Sequence, residues 1–285
     1  MNILVTGGAG FIGSHLIKRL LKEKHNVVCI DNYSTGKKEY EYEGCEYHEA
    51  DIRDIINYDS FMENPDVVYH LAGQPRLQPS FDLPGTTFDI NASATLELLE
   101  WVRYKENCHF IYGSSSTVPS LERNPYSFSK EVAEGLCSLY HKCYGVKTNV
   151  CRFYNVYGDR QISEGIYSTV IGKWIKQYKD NEPLTITGNG EQTRDFTHVD
   201  DIVEGLIEML NIDETSQMTI GLGNGKSTSI NDVADMFGKD YPKEYIDSYP
   251  GEELNSRCDV ERTKTEIKWN PKNSLSEYIK REIGE

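Results

Sequence analysis

Seven residues near the start of the chain, GGAGFIG (7–13), restrict its fold more than any other stretch. They join a short apolar run, NILVT (2–6), to a helical pattern, SHLIKRLLKE (14–23). Glycines at 7, 10 and 13 give the spacing G-x-x-G-x-x-G, a variant of the turn by which a strand–helix unit cradles a dinucleotide. Gly7 permits the tight turn, Gly10 lets backbone approach a pyrophosphate, and Gly13 lets helix and strand pack closely. The helix then turns its positive end toward the phosphates. A glycine fingerprint alone is a weak signal; the strand before it and the helix after it make this one specific.

The rest of the first half repeats the alternation. NVVCI (26–30), VVYHL (67–71), HFIY (109–112) and NVCRFY (149–154) are short apolar runs suited to strands buried on both faces. Between them, NASATLELLEWVRY and SFSKEVAEGLCSLYHKCYG carry apolar residues at helical spacing. This predicts an α/β fold: a doubly wound, mostly parallel sheet of Rossmann type with helices on both faces. After about residue 158 the pattern loosens into turns, short strands and helices at HVDDIVEGLIEMLNI, SINDVADMFG and SLSEYIKREIGE. Ser229 is a candidate N-cap, and the first of these helices is expected to be capped near Asp200. Residues 1–158 are therefore expected to be mainly a dinucleotide-binding domain. Residues 159–285 are expected to be mainly a smaller substrate-binding lobe beside the C-terminal edge of the sheet.

A net charge of −15 disfavours nucleic acid and anionic lipid as partners, so an anionic substrate calls for particular Arg and Lys residues. No apolar run approaches the ~18 residues of a membrane span. The seven cysteines form no C-x-x-C pair and are odd in number, which reads as reduced thiols in a cytoplasmic protein. No metal-ligand cluster stands out.

Asp31 follows the second strand, where a carboxylate bonds an adenosine ribose and repels a 2′-phosphate, favouring NAD over NADP. Lys37 and Lys38 either argue the other way or form a solvated basic turn. Asp51, after a third expected strand, either bonds an adenine amino group or caps the next helix. In YSFSK, Tyr126 and Lys130 lie one helical turn apart and point the same way. A tyrosine acting as a base near neutrality needs its pKa of about 10 lowered by roughly 3 units, about 4 kcal/mol, to which a nearby ammonium contributes. With 19 tyrosines in the chain, the spacing also arises by chance. GSSSTV (113–118) puts serines at the end of a parallel strand, where ligands bind; the alternative is a serine-rich turn.

Taken in order, GGAGFIGS, DNYSTG, ADIRD, HLAGQ, NASATLELLE, GSSSTV, YSFSK, RFYNVYG and GNGEQTRDFTHVDD resemble the extended short-chain dehydrogenase/reductases. Within these they resemble the NAD-dependent epimerase/dehydratase group, over almost the whole chain. The resemblance implies NAD contacts from Gly7, Gly10, Phe11, Ile12, Asp31, Asn32, Ser34, Thr35, Gly36, Asp51, Ile52, Leu71, Ala72, Gly73, Asn91, Tyr126, Lys130 and Tyr154. It implies substrate contacts from Gln74, Ser115, Ser116, Tyr126, Asn155, Arg194, Ser256 and Arg257. Related dehydratases carry Thr-Asp-Glu, and decarboxylases a glutamate, where this chain has Ser115, Ser116 and Thr117. The pattern is thus similar to UDP-sugar 4-epimerases.

The mechanism implied is proton removal from the sugar C4 hydroxyl by Tyr126 with Ser115, hydride transfer to tightly held NAD, rotation of the 4-keto sugar, and return of the hydride to the other face. Lys130 is expected to hold the nicotinamide ribose and lower the Tyr126 pKa. Asn155 and Arg194 match diphosphate contacts. Tyr249 stands where a second arginine is usual, and Arg257 is the candidate replacement. Only PSLERNP separates Val118 from Tyr126, shorter than in most members. Ser256 aligns with the position beside the sugar C2 substituent, where a small residue admits an N-acetyl group, favouring UDP-GlcNAc and UDP-GalNAc over UDP-glucose and UDP-galactose. The rivals are a 4-reductase, a dehydratase or decarboxylase, and a non-catalytic nucleotide-binding protein. A homodimer through the two long helices is expected.

Overall fold

The computed structural model describes residues 1–54, 58–119, 122–212 and 217–285. Ser120 and Leu121, in the short stretch before Tyr126, lie outside the described residues. In chain order the first elements are β1 (Asn2–Thr6), α1 (Phe11–Lys22), β2 (Asn26–Asp31), β3 (Cys45–Glu49) and β4 (Val67–His70). Then come α2 (Gln78–Asp82), α3 (Pro84–Phe88), a π-helical turn at Asp89–Ser93, α4 (Ala94–Val102), β5 (His109–Ser115), α5 (Pro125–Tyr144) and β6 (Lys147–Phe153). The remainder runs β7 (Val156–Tyr157), α6 (Val170–Lys179), β8 (Leu184–Thr187), β9 (Thr193–Asp195), β10 (Thr197–His198), α7 (Val199–Glu208) and β11 (Thr219–Leu222). It closes with β12 (Ser227–Ser229), α8 (Ile230–Asp235), β13 (Lys243–Ile246), α9 (Val260–Ile267) and α10 (Leu275–Ile283).

Two compact units result. The first comprises 1–152 with 203–220, the second 153–202 with 221–285. A seven-stranded sheet has the order β11-β6-β5-β4-β1-β2-β3. The pairs β1–β2, β2–β3, β1–β4 and β4–β5 are parallel. The chain steps outward from β1 to β3 and then returns to β4 on the other side, so the strand order reverses between β1 and β4. Ligands of such sheets bind at that reversal, beyond the strands' C-terminal ends. Those ends are Thr6 and His70, and the glycine turn and the segment from Leu71 leave from them. In the first unit Leu4, Val68, Phe110 and Val150 on the strands pack with Leu98, Leu99 and Cys137 on the helices.

Local chemistry places the helix bearing Tyr126. Asn124 caps α5 by accepting the Ser127 N–H at 2.8 Å, Pro125 opens it, and Gly145 closes it in the left-handed region. Ser229 caps α8, as expected from sequence. In the second unit β13 pairs parallel with β8 and β12 antiparallel with β9. Trp174, Phe237, Ile186 and Ile279 form its core. All seven cysteines are free thiols. No helix among the described residues is long and apolar enough to cross a membrane.

At two points of the glycine turn, neighbouring backbone leaves no room for a side chain. Gly7 has φ +76°, and a Cβ there would lie 2.6 Å from the Ala72 nitrogen. A Cβ on Gly13 would lie 2.2 Å from the Gly7 carbonyl oxygen. Gly10 is different, since its added Cβ meets only that same oxygen, at 3.3 Å. Gly13→Ala should therefore cost about 2–3 kcal/mol of stability in urea denaturation, whereas Gly10→Ala should stay near wild-type stability and lose bound dinucleotide. Equal stability of the two variants would contradict this assignment of roles.

Candidate active site

Asp31 ends β2 and is buried. Its Oδ2 accepts the Ala9 N–H at 2.9 Å and its Oδ1 the Tyr33 N–H at 2.8 Å. Burial raises its pKa above the usual carboxylate range, and the two N–H donors oppose that rise. The same carboxylate thus shapes the glycine turn and offers its remaining lone pairs beyond it. Lys37 pairs with Glu39 and Lys38 with Glu49, so both are answered by local carboxylates, as a solvated basic turn requires. Asn32 and Ser34 are exposed, and Thr35 and Gly36 are half-buried beside Asp31. Phe11 and Ile12 form the first turn of α1, which has no side-chain cap, so its N–H groups suit an anion.

Asp51 caps no helix among the described residues and is engaged by Arg53 and Asn32 instead. Arg53 donates to it through its backbone N–H at 3.0 Å and its guanidinium at 2.9 and 2.8 Å, and Asn32 adds a bond at 2.8 Å. Arg53 holds the Asp51 pKa well below the usual carboxylate range. Ile52 packs in the core.

Asn91, an expected NAD contact, makes three hydrogen bonds within the protein. It is 1% exposed, and both its side-chain atoms serve the protein itself. Its Oδ1 accepts the Gln74 N–H at 2.8 Å, and its Nδ2 donates to the Gln74 carbonyl at 3.2 Å and to Ser129 Oγ at 3.0 Å. Asn91 braces the segment after β4 against α5. Gln74 Oε1 accepts from Thr87 at 3.1 Å. Beneath this lies a directed chain. The Ala72 N–H bonds Thr6 Oγ1, whose proton faces His70 Nδ1 at 2.7 Å; His70 Nε2 faces Thr95 Oγ1 at 2.9 Å, which donates to the Asn91 carbonyl. Those partners leave His70 neutral, with its proton on Nε2.

Ser115, Tyr126 and Lys130 come together in the first unit. Tyr126 is half-buried, and its hydroxyl hydrogen-bonds with Ser115. Burial raises the phenol pKa, while Ser115 and the charge of Arg76 oppose it. Arg76 is the cation that acts on Tyr126, and it was missed from sequence. Its φ is +80°, a strained conformation for arginine, in a segment tied at one end by Gln74 to Asn91 and at the other by Ser80, whose Oγ accepts the Tyr126 N–H at 3.1 Å. Lys130 lies one turn further along α5. Its ammonium donates to the Gly113 carbonyl at 2.9 Å and sits 4.8 Å from the Tyr112 ring centroid. Burial takes its pKa down to about 8. A Cβ on Gly73 would lie 3.2 Å from that ammonium, so Gly73 keeps the space before it open. Ser115 Oγ also contacts Thr117 Oγ1 at 3.0 Å, with Ser116 half-buried beside them.

In the second unit Asp195, also missed, is the organiser. Fully buried, it accepts the N–H groups of Asn224, Gly225 and Cys258 at 2.8–2.9 Å. It thereby ties the Ser256–Cys258 segment to the strand that carries Arg194. Arg194 meets Glu252 at 2.9 Å, so the turn lacking a second arginine presents a carboxylate instead. Asn155, at φ +29°, donates to the Asp195 carbonyl at 3.1 Å. Tyr154 packs its ring over Gly221 and Gly223. Arg257 is exposed and donates to the Gly225 carbonyl at 2.9 Å. Ser256 is 4% exposed, and its hydroxyl lies beneath the surface without a partner. Among the described residues no group of three or more His, Cys, Asp or Glu is arranged to hold a metal ion.

Residues 3–221 match the NAD dependent epimerase/dehydratase family. The chain belongs to that family. NAD is its cofactor, and the glycine turn with Asp31 fits it. Three solved relatives match over almost their full lengths. A UDP-glucose 4-epimerase of Thermotoga maritima with UDP-glucose is 30% identical with a TM-score of 0.91, covering 100% of this chain and 98% of that one. A UDP-glucuronic acid 4-epimerase of Bacillus cereus with UDP-glucuronic acid and NAD is 31% identical with a TM-score of 0.90, at the same coverage. A UDP-N-acetylglucosamine 4-epimerase of Methanobrevibacter ruminantium with UDP-N-acetylmuramic acid is 29% identical with a TM-score of 0.89, covering 99% and 97%.

The buried histidine gives a pH signature. Burial holds His70 down at about 3, and the Lys130 charge acts in the same direction. An unfolded histidine protonates near 6.5. Because the folded value is the lower one, the stability from neutral His70 is complete above about 6.5 and is lost as pH falls from there toward 3, at about 1.4 kcal/mol per unit. His70→Phe should be less stable at pH 7 yet lose less stability between pH 6.5 and 4, as read by urea denaturation at each pH. Parallel loss in both proteins would refute the neutral-histidine assignment.

Proposed function

We propose that this protein is an NAD-dependent UDP-hexose 4-epimerase. The single observation that carries the reading is the Ser115–Tyr126 hydrogen bond at a site where Ser116 and Thr117 stand in place of the carboxylates that elimination or decarboxylation would use. Bound NAD supplies the hydride acceptor and donor. Tyr126, with Ser115, takes the proton from the sugar C4 hydroxyl and returns it after the 4-keto sugar has turned. Lys130 holds the nicotinamide ribose. Arg76 adds a positive charge that favours the phenolate. Asn155 and Arg194 bind the diphosphate, with Arg257 as a further cation. The first unit carries NAD and the second the nucleotide sugar.

UDP-GlcNAc and UDP-GalNAc are the proposed pair. Ser256 supports this by its small size; because its hydroxyl is covered, it acts through the volume that a larger residue would fill. A second reading has its own observation. Arg76 brings a guanidinium near Tyr126, and a cation beside the reacting group would answer the carboxylate of a hexuronate. The proposal extends to a cytoplasmic homodimer. Exposed Leu96 on α4 and Phe128, Leu139 and Tyr144 on α5 support the dimer, and the free thiols suit a reducing compartment.

Purified protein mixed with UDP-GlcNAc, and no added cofactor, should produce UDP-GalNAc in a proton NMR time course. Turnover of UDP-glucose alone would remove the Ser256 argument, turnover of UDP-glucuronate alone would favour the hexuronate reading, and none with any of the three would sink the epimerase. Tyr126→Phe should lower turnover by about 10³-fold with NAD retained; loss of NAD instead would make Tyr126 structural. Removing the cation in Arg76→Met raises the Tyr126 pKa, so the acidic limb of the kcat profile should move to higher pH. An unmoved limb would dismiss Arg76 from the site.

A further inference from the structure

Helix α5 presents a third residue on the face that carries Tyr126 and Lys130. Glu134 lies one further turn along, so positions 126, 130 and 134 form a single row. The Glu134 side chain is 11% exposed, and Arg152 on β6 grips it with two bonds, Nε to Oε1 at 2.9 Å and Nη2 to Oε2 at 2.7 Å. Such a fork fixes a carboxylate in orientation as well as in place. The gripped Oε1 also accepts the Ser114 hydroxyl at 2.6 Å. One turn earlier, Lys130 donates to the Gly113 carbonyl at 2.9 Å. Gly113 and Ser114 share a peptide unit, so two successive turns of α5 hold the end of β5 from either side of that unit. The next residue is Ser115, which bonds Tyr126.

The surroundings of Lys130 are otherwise poor in negative charge. Tyr112 faces it from β5, Cys137 from its own helix and the neutral His70 from β4. Glu134 in turn faces Arg152 on β6, Ser114 and Tyr112 on β5, and Lys130 and Cys137 on α5. Its negative charge thus acts on the buried ammonium and opposes the lowering of its pKa by burial.

We propose that Glu134, oriented by Arg152, is a positioning residue for this site: it fixes the Ser115 end of β5 against α5 and supplies the counter-charge of the buried Lys130 ammonium. Arg152 cancels part of that charge at longer range while holding it in place. The inference rests on the epimerase reading only for its turnover measurement.

The test is NMR of NAD-loaded protein carrying ¹³Cε-lysine, with no sugar nucleotide present and the Lys130 signal assigned by its loss in Lys130→Met. Glu134→Gln keeps a group able to bond Ser114 and removes the charge. In that variant Lys130 should lose its proton about one pH unit lower than in the wild type. Lys130 titrating at the same pH would overturn the counter-charge role, whatever the substrate proves to be. Ser114→Ala removes only the bond from β5, and it serves equally if Glu134→Gln fails to fold. It should leave the Lys130 titration in place and lower kcat about fivefold with KM unchanged. Wild-type kcat in Ser114→Ala would overturn the positioning of Ser115.

Discussion

The first unit depends on a steric constraint. The turn after β1 packs so closely against the start of the segment after β4 that Gly7 admits no side chain, and so closely against α1 that Gly13 admits none either. That closeness lets the Ala72 N–H reach Thr6 and starts the hydrogen-bonded chain through His70 and Thr95 to Asn91. Asn91 then fixes Gln74 and, through Ser129, the first turn of α5. The cofactor turn and the Tyr126 helix are therefore positioned by one continuous set of contacts that crosses the point where the strand order reverses. A buried polar chain of this kind holds geometry only when every member is satisfied, and the members here are.

What could be read from the residues alone was local. The strand–turn–helix context of the glycines, the one-turn spacing of Tyr126 and Lys130, and the Ser229 cap each concern neighbours in the chain. The doubly wound parallel sheet was also legible, because alternating strands and helices leave few topologies. The rest depends on long-range contacts. Asn91 sits in a recognisable motif, but a motif does not say whether its amide faces a ligand or the next element. Arg76 reaches Tyr126 only because tertiary anchors at Gln74 and Ser80 hold its loop in a strained conformation. Ser256 is covered because its N–H pairs with the Thr193 carbonyl, sixty-odd positions away in sequence.

Asp195 shows why the second unit was harder to read. It sits inside QTRDF beside an arginine with an obvious affinity for phosphate, and nothing local marks the carboxylate as the one that gathers three backbone N–H groups. Burying it raises its pKa, and those three donors are what make a carboxylate tolerable there. Loops dominate this unit, so its candidate ligand-facing residues owe their places to a buried anion more than to helix or strand geometry.

The Arg194–Glu252 pair has a consequence for how tightly a nucleotide sugar would be held. A guanidinium that already faces a carboxylate is not an empty socket; on the proposed reading it takes up a diphosphate by swapping one anion for another. Only the difference between the two partnerships enters the affinity. The same carboxylate stands ready to reclaim the arginine when the sugar departs. A reversible reaction whose substrate and product carry identical diphosphates gains from such an arrangement, because orientation is secured beforehand while neither form becomes trapped.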